Sequence, residues 1–211
     1  MRFLAVIAFL LAATVLPRPA QAETALFAGG CFWCVEADFD SVPGVTATTT
    51  GYAGGKVANP TYKTYGKGGH REVVRIEFDP SVVSYAQLVA IFLRTIDPTD
   101  AGGQFCDRGR AYSSAIHALD ERQRKAAEQA VKDARKLLGA KVATAVEGAA
   151  RFWKAEQYHQ EYYRSNVRQV TRFGIVTRAT AYKGYRKNCG RDARVRKVWG
   201  QEAYKGANPG S

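Results

Sequence analysis

Residues Glu23–Phe39, Glu-Thr-Ala-Leu-Phe-Ala-Gly-Gly-Cys-Phe-Trp-Cys-Val-Glu-Ala-Asp-Phe, read as a short strand, a two-glycine turn and the opening of a helix. Glu23 to Ala28 predicts the strand. From Cys31 to about Ser41 the spacing of Phe32, Trp33, Ala37 and Phe39 predicts a helix with these side chains inward. A helix that begins at Cys31 has unpaired backbone N–H groups and its positive dipole end beside the sulfur. That position favours a thiolate, the reactive form of cysteine, so a lowered Cys31 pKa is expected. Gly29 and Gly30 are expected to let a substrate approach the backbone closely.

Working outward, Arg2, the apolar run Phe3–Leu16 and Ala20-Gln21-Ala22 have the three parts of a secretory signal over residues 1–22. The run is 14 residues long, short of the ~20 that a membrane-spanning helix needs. Export, in a bacterium to the periplasm, is the expected location. Residues 23–211 are of a size for one catalytic domain. Val45–Tyr52 is rich in Thr and Val, and Glu72–Phe78 puts Val74, Ile76 and Phe78 on one face, so both predict strands. A long Gly/Pro/Lys loop joins them. Ser84 with Gln87 is a capping box for a helix carrying Tyr85, Leu88, Val89, Phe92 and Leu93 on one face. A Gly-rich loop over residues 97–111 precedes a strand at Ser113–Ala118. A long helix over residues 121–138 follows, capped by Asp120 with Gln123 and stopped by Gly139. Lys141–Val146 predicts a strand and Gln157–Arg164 a short helix. From about residue 165 the periodicity fades, and an irregular basic tail is expected. Interleaved strands and helices make the class α/β or α+β, with the strand order left open.

The chain has 31 Lys and Arg against 19 Asp and Glu, a formal charge of +12. The cations read as scattered, with a modest cluster from Arg186 to Lys197, and so as solvated surface. Neither a nucleic-acid partner nor membrane contact is expected, and the chain is expected to be a monomer. The four cysteines, Cys31, Cys34, Cys106 and Cys189, allow two structural bridges in an exported protein. A chain of this length does not need such staples, so cysteines kept for chemistry are a live alternative.

Cys31-Phe32-Trp33-Cys34 fits a thioredoxin-like dithiol, half a zinc site, or a nucleophile with a resolving partner. Zinc lacks further ligands, because His70, His117 and His159 are single and no second Cys-x-x-Cys exists; no metal is expected. Phe32 and Trp33 are either core residues or an apolar wall suited to an uncharged, methyl-bearing group.

Gly-Gly-Cys31-Phe-Trp-Cys-Val-Glu-Ala-Asp-Phe resembles the active-site segment of the A-type peptide methionine sulfoxide reductases. Further segments are similar in the same order: Gly51-Tyr52-Ala53-Gly54-Gly55, Asn59-Pro60-Thr61-Tyr62, Gly69-His70-Arg71-Glu72, Asp107-Arg108-Gly109 through Tyr112-Ser113, and Tyr158-His159-Gln160. The resemblance runs from Ala25 to Tyr163. It implies an α+β fold, a two-layer sandwich with a mixed sheet and a ferredoxin-like core. It also implies reduction of methionine S-sulfoxide, free or in proteins. Cys31 is then the nucleophile, Glu72 the acid that protonates the leaving oxygen, and Tyr62 and Tyr112 the hydroxyls that hold that oxygen. Phe32 and Trp33 would hold the methyl group, and Asp107 would orient the site.

The resulting Cys31 sulfenic acid condenses with a thiol, for which Cys34 and Cys189 are the candidates. No bound cofactor is implied, only an external thiol such as a thioredoxin-like protein or dithiothreitol. The chain departs from the commonest pattern with Cys34 where Gly is frequent and Cys106 where Asn is frequent, which leaves the disulfide relay open. Cys106 reads as either an inert buried thiol or a further participant in that relay, and its role is left open. The alternative function is general thiol–disulfide exchange by Cys31/Cys34.

Overall fold

A computed structural model describes residues 22–209. All but the last residue of the expected export signal lies outside them. In chain order the main elements are β1 (Glu23–Ala28), α1 (Phe32–Phe39), β2 (Val45–Ala53), β3 (Arg71–Phe78), α2 (Tyr85–Arg94), a small hairpin of β4 (Gly103–Gln104) and β5 (Asp107–Arg108), β6 (Ala115–His117), α3 (Glu121–Leu138), β7 (Ala145–Glu147) and β8 (Trp153–Lys154). β9 (Arg168–Thr171) and β10 (Gly174–Thr177) form a second hairpin, and α4 (Arg178–Asn188) and α5 (Arg191–Trp199) follow.

Six strands form one sheet in the order β7-β6-β1-β3-β2-β8, antiparallel throughout except for the parallel pair β6 and β7. The sheet is therefore mixed and the class α+β. Alternation along each strand sorts side chains to the two faces. Ala25 and Phe27 of β1 join Val74, Ile76 and Phe78 of β3 under a helical layer that adds Val35 and Phe39, Leu88 and Phe92, and Ala127 and Val131. Leu26, Ala28 and Val73 face the other way, beneath Ala145, Ala150 and Phe152. The same period of two puts Glu72 on the helix side of β3, at the end nearest α1.

The helix ends follow their sequence signals. Ser84 Oγ accepts from Gln87 N, and Gln87 Oε1 accepts from Ser84 N at 2.8 Å. Asp120 Oδ1 accepts from Gln123 N at 2.7 Å, and Gly139 ends α3 at φ 59°. Residues 53–70 are tied down by buried His70, whose Nδ1 accepts from Gly55 N at 3.2 Å while Nε2 donates to Val57 O at 2.7 Å. A Cβ on Gly55 would lie 2.3 Å from that imidazole, so glycine is required there.

Three expectations need correction. The segment from 165 is not irregular: it folds into the β9–β10 hairpin and helices α4 and α5. Its pattern is hard to read because α4 and α5 bury Arg186 and Arg191 beside Ala181, Tyr182, Val195 and Trp199. The strand expected at Lys141–Val146 is confined to Ala145–Glu147. The helix expected at Gln157–Arg164 is two 3-10 turns separated by Gln160 and Glu161, the latter at φ 51°.

Candidate active site

The strand-to-helix turn fixes the first cysteine. Gly30 takes φ +81°, where an added Cβ would meet Gln104 Cβ at 2.6 Å, and Gly29 packs against Val35 and Phe92. The two glycines thus admit protein side chains, not substrate as expected. Cys31 caps α1, its carbonyl accepting from Cys34 N at 3.1 Å and Val35 N at 3.3 Å.

The first N–H of the helix has a partner other than the Cys31 sulfur. Phe32 N donates instead to Glu72 Oε2 at 2.9 Å. Burial is the largest effect on Glu72 and raises its carboxyl to about 8, against the lowering effect of that N–H and of the Tyr65 hydroxyl. Glu72 is therefore mainly a neutral acid at pH 7. Tyr65, missed at the sequence level, stands 2.8 Å from Glu72 Oε1 and 3.1 Å from the Tyr112 hydroxyl. Its only sequence signal is the Tyr62-x-x-Tyr65 spacing within one turn.

Cys31 and Cys34 are free thiols that share a hydrogen bond. The expected lowering at Cys31 is corrected. Donation to Cys34, then burial and the carboxyls of Glu72 and Asp107, push its thiol up. Cys34 is drawn down to about 7, first by that hydrogen bond and then by Arg191 and Arg186. The negative charge of the pair thus rests on the buried sulfur, over two guanidinium groups. Arg186 pairs with Asp38 at 2.9 Å and with Asp192 at 2.7 Å. Arg191 lies 3.6 Å from Asp38 and donates to Gly29 O at 3.2 Å. The sequence carries no signal that these arginines fold back beneath the Cys-x-x-Cys turn.

One cavity of about 330 Å³ is lined by every residue singled out from the sequence: Cys31, Phe32, Trp33, Cys34, Tyr62, Glu72, Asp107, Tyr112 and Cys189. Phe32 is buried, and Trp33 stacks on Tyr162 at 3.9 Å between ring centres. Tyr62 stacks on Tyr65 at 5.8 Å, and burial raises its hydroxyl pKa, as it does for Tyr112, which reaches about 12. Burial also raises the Asp107 carboxyl.

Cys106 is exposed rather than buried, and it is joined to Cys189 in a disulfide on the rim of the same cavity. Cys189 is the C-cap of α4, not part of a loose tail. Cys106, Asp107 and Cys189 bring three donor atoms within 4.8 Å of one another, but sulfurs joined to each other offer no thiolate to a metal.

The peptide methionine sulfoxide reductase family matches residues 23–193. A peptide methionine sulfoxide reductase of Rhizobium meliloti is 55% identical over 191 residues, 90% of each chain. The solved methionine sulfoxide reductase A of Corynebacterium diphtheriae is 33% identical, with a TM-score of 0.62 over 69% of this chain and 74% of its own. Mxr1 of Saccharomyces cerevisiae, solved in complex with Trx2, shares the fold at 22% identity, with a TM-score of 0.50 over 71% and 91% of the two chains.

Proposed function

The chain belongs to the peptide methionine sulfoxide reductase family, A type, and from that premise we propose how its residues divide the work. It is an enzyme that reduces methionine sulfoxide to methionine with electrons from thiols. We take its substrate to be the S epimer, free or within proteins.

In this reading the methyl group lies against Phe32 and Trp33, and the sulfoxide oxygen between the Tyr62 and Tyr112 hydroxyls. Asp107 orients the site. Cys31 attacks the sulfoxide sulfur, and its own proton passes to Cys34, the sulfur held as an anion over Arg186 and Arg191. The oxygen leaves with a proton that comes from Glu72 and ends on Cys31. The sulfoxide sulfur gains two electrons, and Cys31, now a sulfenic acid, loses two. Cys34 then condenses with Cys31, releasing water. Attack by Cys189 on that disulfide, and by Cys106 on the mixed disulfide, restores both inner thiols. This leaves Cys106–Cys189 at the surface, where exposed Cys106 can meet an external thiol. A thioredoxin-like protein is the reductant we favour, in line with the yeast relative solved with Trx2.

The observation that carries this reading is a carboxyl held neutral by burial in the same aromatic-walled cavity as the reactive cysteine. Dabsyl-methionine S-sulfoxide and dithiothreitol test it. Methionine should form from the S epimer and not the R, and Cys31→Ser should abolish turnover. Intact turnover in Glu72→Gln would instead favour general dithiol exchange.

We further read the β1-α1-β2-β3-α2-β6 core as ferredoxin-like, supported by its strand order β6-β1-β3-β2. The protein is taken to act as an exported, periplasmic monomer; the three-part pattern of residues 1–22 supports export.

A further inference from the structure

Glu72 has two oxygens, and both are engaged. Oε2 accepts from Phe32 N at 2.9 Å, so the proton of the neutral acid sits on Oε1. Oε1 faces the Tyr65 hydroxyl at 2.8 Å, and Tyr65 faces the Tyr112 hydroxyl at 3.1 Å. Tyr112 lines the cavity and Tyr65, 6% exposed, does not. We propose that Tyr65 is a positioning residue that carries the Glu72 proton to Tyr112, and through it to the departing sulfoxide oxygen. The inference rests on the reductase reading above and deepens it.

A phenol has one proton to donate and can accept as well, so the three groups allow two hydrogen-bond patterns. With Glu72 neutral, Oε1–H donates to Tyr65, Tyr65 donates to Tyr112, and the Tyr112 proton is left to point into the cavity. With Glu72 ionised, Tyr112 donates to Tyr65 and Tyr65 donates to Oε1. The first pattern becomes the second when Tyr112 gives its proton to the sulfoxide oxygen, Tyr65 gives its proton to Tyr112, and Glu72 gives its proton to Tyr65. One proton leaves the acid and one reaches the oxygen, and no heavy atom has to move far. Solvent reprotonates Glu72 afterwards. Direct donation, by contrast, would first have to break the Oε1–Tyr65 bond.

The local fold holds Tyr65 in place for this. Its N–H donates to Thr61 O at 2.8 Å, its carbonyl accepts from His70 N at 3.0 Å, and its ring stacks on Tyr52 at 4.7 Å. Phenylalanine keeps the ring contacts and removes only the hydroxyl.

The test is the single-turnover rate of methionine formation from saturating methionine S-sulfoxide, followed across neutral and alkaline pH. Tyr65→Phe should slow it at least about tenfold, by the usual worth of a positioned proton donor, with substrate affinity unchanged. Its alkaline limb should move to higher pH. Tyr65→Phe and Tyr112→Phe should be non-additive, the double variant falling within about threefold of the slower single, since both break one path. A curved proton inventory in mixed light and heavy water is expected of the wild type, a readout that needs no variant to fold. A wild type that forms methionine with a linear inventory, or a folded Tyr65→Phe at full rate, would overturn the proton path alone. A wild type that forms no methionine would overturn the reductase reading itself.

Discussion

Glu72 and Cys34 titrate in opposite senses around neutrality, and the reaction needs each in a defined form. Cys34, near 7, must be ionised to take the Cys31 proton, so the rate climbs as pH rises through about 7. Glu72, near 8, must be protonated, so the rate is lost as pH rises through about 8. A bell-shaped single-turnover profile with its maximum between the two is expected. In Glu72→Gln the alkaline limb should vanish and the rate fall about 10²–10⁴-fold; a retained limb would assign it to another group. At this scale the sequence told the residues but not their states. Cys31 was legible as the residue at the start of a helix. That the helix N–H serves Glu72 depends on a strand 40 residues away.

Helix α1 carries more than its cysteines. Its buried Glu36 accepts from Glu161 N at 3.0 Å, and burial raises its carboxyl to about 8. The folded state therefore binds the Glu36 proton more tightly than the unfolded chain. Stability from this group is full below the unfolded carboxylate range and is lost as pH rises through about 8. The loss is on the order of a few kcal/mol. Glu36→Gln, which can still accept from Glu161, should flatten the fall in melting temperature between acid and alkaline pH; Glu72 supplies the slope that remains. An unchanged slope would mean that Glu36 is ionised in the fold. Elements with strong periodicity or caps, namely β3, α2 and α3, were legible in the sequence because their local signals agree with their burial. The C-terminal helices were not, since their inner faces include charged residues that only partners elsewhere in the chain make acceptable.

Across the whole molecule, residues 165–211 hold eleven Lys and Arg against two acidic residues, so the basic charge is less scattered than it first reads. Two of these cations, Arg186 and Arg191, are buried beneath α1 and bind the C-terminal segment to the site. Arg186→Ala would leave Asp38 short of its main partner in the interior, and about 3–5 kcal/mol of stability should be lost. Denaturant unfolding measures it, and a loss near zero would mean that Arg191 alone neutralises Asp38. The same docking brings all four cysteines to one cavity. One equivalent of methionine S-sulfoxide added to fully reduced enzyme, followed by alkylation and mass spectrometry, should find Cys106 joined to Cys189 and Cys31 and Cys34 free. A Cys31–Cys34 disulfide as the end product would stop the relay at the inner pair.

The sequence by itself determined the strand–turn–helix that presents Cys31, the alternation that turns Glu72 toward it, the capped helices, and the family, because those features are written in spacings of a few residues. Only the tertiary structure decided which sulfur carries the charge, that Cys106 pairs with Cys189, that Tyr65 joins Glu72 to Tyr112, and that the basic C-terminal segment folds over the site. Each of these depends on burial or on a partner distant along the chain. Desolvation and contact across such separations have no local pattern from which to be read.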